Sequence, residues 1–122
     1  MSVLTSLLLV APPGPFRDSL RVLLQAEPRI ARVILADSVI EACCVLRQSP
    51  PDQIIIDTDL SDPALWSFCT LLKTFSATLN CVIIFHTSEQ HVAAHLLGFP
   101  ALLAGFKAEA LFAAIFGDLG SV

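Results

Sequence analysis

Charge is scarce in this sequence. Charged residues make up 15% of its 122 positions and hydrophobic ones 55%, with a mean hydropathy of +0.75. That is well above the apolar share of an ordinary soluble domain. Basic residues are the fewest: seven Lys and Arg stand against eleven Asp and Glu, for a net charge of −4. The seven are scattered, so the basic patch that grips a phosphate backbone is missing, and no direct nucleic-acid contact is expected. No apolar run reaches the about 18 residues of a membrane span, because Pro, Arg, Asp or Gln interrupts each one. The stretch from Met1 to Val10 also lacks the basic start of a secretory signal. A cytoplasmic location without membrane contact follows as the expectation. Four cysteines (Cys43, Cys44, Cys69 and Cys81) show no CxxC spacing. They read as small core hydrophobes in a reducing compartment.

The chemistry-bearing patterns that are missing narrow the function further. Pro12-Pro13-Gly14-Pro15 is no phosphate loop, since proline lacks the N–H that cradles phosphate. No Ser-His-Asp or Cys-His order falls at strand ends, so a nucleophilic enzyme is not indicated. His91 and His95 stand four apart, a spacing that can hold Zn²⁺ from one helical face, and His86 lies just upstream. With no acidic residue in the metalloprotease position, they read better as partly buried structural histidines. The excess of apolar residues has two outlets: a sheet covered on both faces, and a surface covered by a partner.

What is present is an alternation. Five short apolar runs (Leu7 to Val10, Val33 to Leu35, Ile54 to Ile56, Cys81 to Phe85, Ala101 to Ala104) alternate with five helical patterns. The first helix begins at Pro15, with Phe16, Leu20, Leu23 and Leu24 on one face, and Glu27-Pro28 stops it. Asp37-Ser38 caps a second helix through Arg47. Asp62-Pro63 opens a third to about Ser76. Ser88 caps a fourth, closed by Gly98, and the fifth runs from about Lys107 to Phe116. Residues 1–122 form one domain on this reading, with no repeat and no linker. Continuous β-branched runs imply strands buried on both faces, and strict β-then-α alternation implies right-handed crossovers. The predicted fold is α/β, a doubly wound five-stranded parallel sheet. Its functional residues lie at the carboxyl ends of the strands: Ala11, Pro12, Asp57, His86, Thr87 and Gly105.

The string Leu8-Leu9-Val10-Ala11-Pro12-Pro13-Gly14-Pro15-Phe16-Arg17 resembles the opening of response-regulator receiver domains, of the type found ahead of helix-turn-helix outputs. The likeness continues in order and register through Gln25-Ala26-Glu27-Pro28, Pro51-Asp52-Gln53-Ile54-Ile55-Ile56-Asp57, Gly98, and Leu111-Phe112-Ala113-Ala114-Ile115. The resemblance implies a flavodoxin-like (βα)5 fold in a two-component system. It makes Asp57 the phospho-acceptor position, served by Mg²⁺ that acidic residues hold. The metal offsets charge developing on the transferred group.

This chain departs from that pattern at every supporting position. Where the acidic pair belongs stand Ala11 and Pro12, neither of which offers a side-chain oxygen to a hard cation. Asp59 and Asp62 could form a shifted metal site with Asp57, but Asp62 reads better as a cap before Pro63. The switch hydroxyl is replaced by His86, with Thr87 one place later and, by strand alternation, mis-aimed. The lysine position holds Ala104 or Gly105, with Lys107 beyond it. A degenerate pseudo-receiver follows: not an enzyme, needing no cofactor, and working by protein contact in signal transduction or transcription regulation. The alternative is a true phosphorelay receiver with Mg²⁺, whose Asp57 takes phosphate from a histidine kinase. A flavodoxin-like small-molecule binder would share the topology, but the chain lacks a phosphate loop and a paired acid and base. No charge falls between Glu109 and Asp118. In receiver domains the fourth helix, fifth strand and fifth helix form the usual partner surface, and Leu96, Leu97, Leu102, Phe106, Ala113 and Phe116 are the expected interface for a homodimer or other protein. Phe116 is its expected anchor.

Overall fold

Five apolar runs become five strands because each is too short and too branched for a buried helix. In the computed structural model, which describes residues 4–75 and 79–117, they are β1 (Thr5–Val10), β2 (Ile30–Ala36), β3 (Gln53–Asp57), β4 (Asn80–Phe85) and β5 (Ala101–Leu103). The helices between and after them are α1 (Pro15–Gln25), α2 (Val39–Gln48), α3 (Leu65–Phe75), α4 (Ser88–Leu97) and α5 (Ala108–Phe116). All neighbouring strands pair in parallel, in the order β2-β1-β3-β4-β5. The strand order reverses about β1, so the crevice at the carboxyl ends of β1 and β3 is where a doubly wound sheet presents its site.

Alternation along the central strands divides the core in two. Leu8, Val10, Ile54, Ile56 and Ile83 pack beneath α2, α3 and α4. Leu7, Leu9, Ile55 and Ile84 pack beneath α1 and α5, where Leu20, Leu24, Leu111 and Ile115 meet them. Burying each of these Leu and Ile side chains contributes about 1.5–3 kcal/mol, which is why β1 and β3 form the rigid centre of the molecule. Register then fixes the site. Val10 pairs with Ile56, and Asp57 pairs with Ile84. The residues leaving β1, β3 and β4 therefore emerge side by side.

Several local expectations are corrected. Thr87, not Ser88, caps α4: its hydroxyl accepts the Gln90 N–H at 3.2 Å, and the Gln90 side chain reaches back to the Thr87 N–H at 3.0 Å. This reciprocal box satisfies two otherwise unpaired amides, which Ser88 could not do. Gly98 closes α4 in a left-handed conformation (φ 77°) that disfavours any side chain. Asp62 does cap, but the regular helix begins only at Leu65. Its two carboxylate oxygens accept the N–H groups of Ala64 and Val39, both at 2.9 Å, tying the start of α3 to the start of α2. These bonds hold its carboxyl below the usual carboxylate range. The expected end of α3 near Ser76 lies outside the described residues. Cys69 and Cys81 are buried as anticipated, and burial pushes the Cys69 thiol up to about 12. Cys44, however, is exposed. His91 and His95 are also exposed rather than partly buried, because both lie on the outer side of α4; His91 stacks on Phe85 at 4.3 Å.

Candidate functional site

Asp57 ends β3 with its side chain only 3% exposed. A carboxylate that far from water needs hydrogen-bond donors. Two are present: the Nε2 of His86 at 2.6 Å and the backbone N–H of Asp59 at 3.0 Å, both on Oδ1. The imidazole of His86, the first residue past β4, therefore lies directly against the acceptor carboxylate. With the carboxylate as acceptor, Nε2 carries the proton. Phe16 from α1 meets the His86 ring edge-on at 5.8 Å, and Phe106 meets Phe16 edge-on at 6.5 Å.

A second layer holds the backbone. Gln90 Oε1 accepts the N–H groups of both His86 (2.7 Å) and Thr87 (3.0 Å), and Gln90 Nε2 donates to the Thr58 carbonyl at 3.3 Å. Thr58, itself buried, donates its hydroxyl to the Ile84 carbonyl at 2.7 Å. One amide thus spans the exits of β3 and β4. Sequence reasoning missed Gln90, Thr58 and the role of Phe16. Gln90 had a readable signal, since Thr87 followed three residues later by Gln is a capping-box spacing; the contacts of Phe16 and Thr58 across the fold had none.

Ala11 is fully buried, its N–H donating to the Ala36 carbonyl, and Pro12 is half-buried beside it. The hydroxyl of Thr87 accepts the Gln90 N–H in the α4 cap. Ala104 continues the ladder through an N–H to the Phe85 carbonyl, and Gly105 is exposed in a positive-φ turn (95°). Lys107 sits exposed at the N-cap of α5, where its carbonyl accepts the N–H groups of Ala110 and Leu111 while its side chain makes no hydrogen bond or ion pair among the described residues. The hollow bordering the aromatic pair is apolar, about 140 Å³, lined by Phe16, Ser19, Leu20, Leu23, Gly105 and Phe106. A larger cleft of about 490 Å³ opens at the opposite end of the sheet, around Lys73, Asn80 and Phe99.

Known structures share this arrangement of elements. A LuxR-family two-component response regulator from Aurantimonas superposes with a TM-score of 0.79 and 21% identity, over 97% of this chain and 86% of its own. The response regulatory domain of protein mrkE from Klebsiella pneumoniae gives 0.76 and 17%, over 89% and 90%. The chain has the receiver-domain fold. NtrX from Brucella abortus gives 0.76 and 19% over 90% of this chain, which corresponds to only 25% of NtrX. No protein-family model matches the sequence, and no curated protein is similar to it in sequence. At these identities the receiver likeness is one of fold, and the roles of individual side chains rest on their own geometry.

Mg²⁺, which the receiver resemblance implies, does not fit the residues present. Ala11 and Pro12 contribute a methyl group and a ring in place of oxygen ligands. One oxygen of Asp57 is engaged by His86 and Asp59, Asp59 itself is exposed, and both oxygens of Asp62 are used as caps. A small cation that demands near-octahedral oxygen coordination finds a single carboxylate here. No helix among the described residues is long and apolar enough to cross a membrane.

The residues expected at an interface differ in exposure. Leu96 is 80% exposed and Val92, four residues earlier on the same face of α4, is 57% exposed; Leu103 at the end of β5 is 58% exposed. Leu97 and Leu102 are half-buried, packed on the two cores, and Phe106 is half-buried among the aromatics. Ala113 is half-buried as well. Phe116, the expected anchor, is half-buried within the chain: it stacks on Phe112 at 6.3 Å beneath the Arg29 guanidinium, 3.9 Å from the ring centroid. Within α5 Leu111 and Ile115 are buried against the sheet, while Phe112, Ala113, Ala114 and Phe116 are half-buried.

Proposed function

We propose that the chain, as a single domain over residues 1–122, is a receiver-like protein-interaction module that works without phosphorylation. It would serve cytoplasmic bacterial signal transduction or transcription regulation, with no catalysis of its own. One observation carries this reading: the Asp57 carboxylate is buried against His86 where an acceptor would need solvent, metal and a neutralising cation. Phosphoryl transfer to a carboxylate depends almost wholly on positioning and charge stabilisation. Ala11, Pro12, His86 and the Ala104–Gly105 turn supply neither. Output would run through protein contact, and the exposed Val92, Leu96 and Leu103 make the α4–β5 side the surface that a second copy or another protein covers. Nothing in the charge distribution favours nucleic acid as a direct ligand.

Calorimetric titration with millimolar Mg²⁺ tests the carrying observation. The expected result is no saturable binding. Specific binding abolished by Asp57→Asn would instead support a true phosphorelay receiver that takes phosphate from a histidine kinase.

A further inference from the structure

α4 buries little of its surface: Ala94 is its one fully buried residue and Leu97 is half-buried, while Val92 and Leu96 point outward. At its N-terminus two side-chain bridges cross from the β3 exit to the β4 exit. One is Asp57 to His86 Nε2 at 2.6 Å. The other is Gln90, from the Thr58 carbonyl to the N–H groups of His86 and Thr87. The two run side by side, since Thr58 follows Asp57 and both end on the His86–Thr87 segment.

We infer that Asp57, His86 and Gln90 form a built-in latch, which fixes the β4–α4 junction and so holds the apolar face of α4 in one constant presentation. The inference deepens the phosphorylation-independent reading and rests on it. His86 can bridge to Asp57 because its ring spans the gap that a shorter hydroxyl side chain would leave, and because Phe16 backs the ring. Gln90 resists twisting of the segment by gripping two successive amides. Each of the three is a positioning residue for α4.

The test is amide hydrogen exchange, read by mass spectrometry over peptides spanning 87–97, in wild type, Asp57→Ala, His86→Ala and the double variant. Loss of a hydrogen bond to a carboxylate should speed exchange across α4 by about tenfold in either single variant, and by no more in the double. Peptides from α1 and α5 should keep their wild-type rates. His86→Gln, whose amide nitrogen lies the same number of bonds from Cα as Nε2, should restore slow exchange; circular dichroism confirms that each variant is folded. Unchanged α4 exchange in the two alanine variants would overturn the latch, as would additive effects in the double variant or acceleration spread evenly over the chain. These outcomes are independent of phosphorylation: a wild-type chain that took up phosphate would refute the functional reading and leave the exchange comparison standing.

Discussion

Truncating Phe116 separates an internal packing role from an interface role. The ring is half-buried, stacked on Phe112 and covered by the Arg29 guanidinium. Removing a fully buried Phe costs about 3–5 kcal/mol. Half-burial scales the packing part to about 2 kcal/mol, and the guanidinium contact, near the surface, adds about 0.5 kcal/mol. Phe116→Ala should therefore lower the unfolding free energy by about 2–2.5 kcal/mol, or about 8 °C in Tm for a domain of this size. Urea unfolding followed by circular dichroism at several protein concentrations is the assay. The loss should be the same at low and high concentration, because the contacts are within one chain. Phe116→Asp, which places a charge beneath Phe112, should be worse still rather than give a sound monomer. A Phe116→Ala variant as stable as wild type when dilute, yet defective in association, would refute this and restore Phe116 as an interface anchor.

Other consequences follow from single contacts. Leu96→Asp should leave stability within about 0.5 kcal/mol of wild type, since the side chain is 80% exposed; light scattering should show weaker self-association, and an unchanged mass at high concentration for both chains would argue against a homodimer through α4. Asp62 has a lowered pKa in the folded chain because it accepts the Val39 and Ala64 N–H groups. Its contribution is thus present above the unfolded carboxyl value and lost as pH falls through the folded one. Asp62→Asn should be less stable than wild type at neutral pH, with the gap closing below about pH 4 in denaturation curves. A gap that stays constant to pH 2 would remove the charge from the explanation. Leu111→Ala, at a fully buried position on α5, should cost about 2–5 kcal/mol with Cm falling and the denaturant slope unchanged.

The fold was legible because its signals are local. Leu7 to Val10 and Ile54 to Ile56 are continuous apolar runs, and only a sheet covered on both faces accommodates five of them in 122 residues. The caps were mostly legible too: Ser38 accepts the Glu41 N–H as its position suggested, and Gly98 closes α4. Thr87 was harder to read as the cap because Ser88 beside it offers the same kind of hydroxyl. At the site, the absences at Ala11 and Pro12 could be read directly, since an alanine has no oxygen in any conformation. The Asp57–His86 bond could not, because it joins residues 29 positions apart and depends on a ring orientation set by Phe16. The cover over Phe116 was invisible for the same reason. Apolar periodicity says which residues avoid water, but not whether Arg29, a neighbouring helix or a separate protein provides the shelter.

Whether Asp57 accepts a phosphoryl group is the point on which the account turns. Incubation of the intact chain with acetyl phosphate and Mg²⁺, followed at once by intact mass measurement, decides it directly. The account predicts an unchanged mass for the wild type, indistinguishable from Asp57→Asn treated in parallel, because Asp57 is buried against His86 with no metal ligands at Ala11 and Pro12. A gain of one phosphoryl group that maps to Asp57 and vanishes in Asp57→Asn would contradict it.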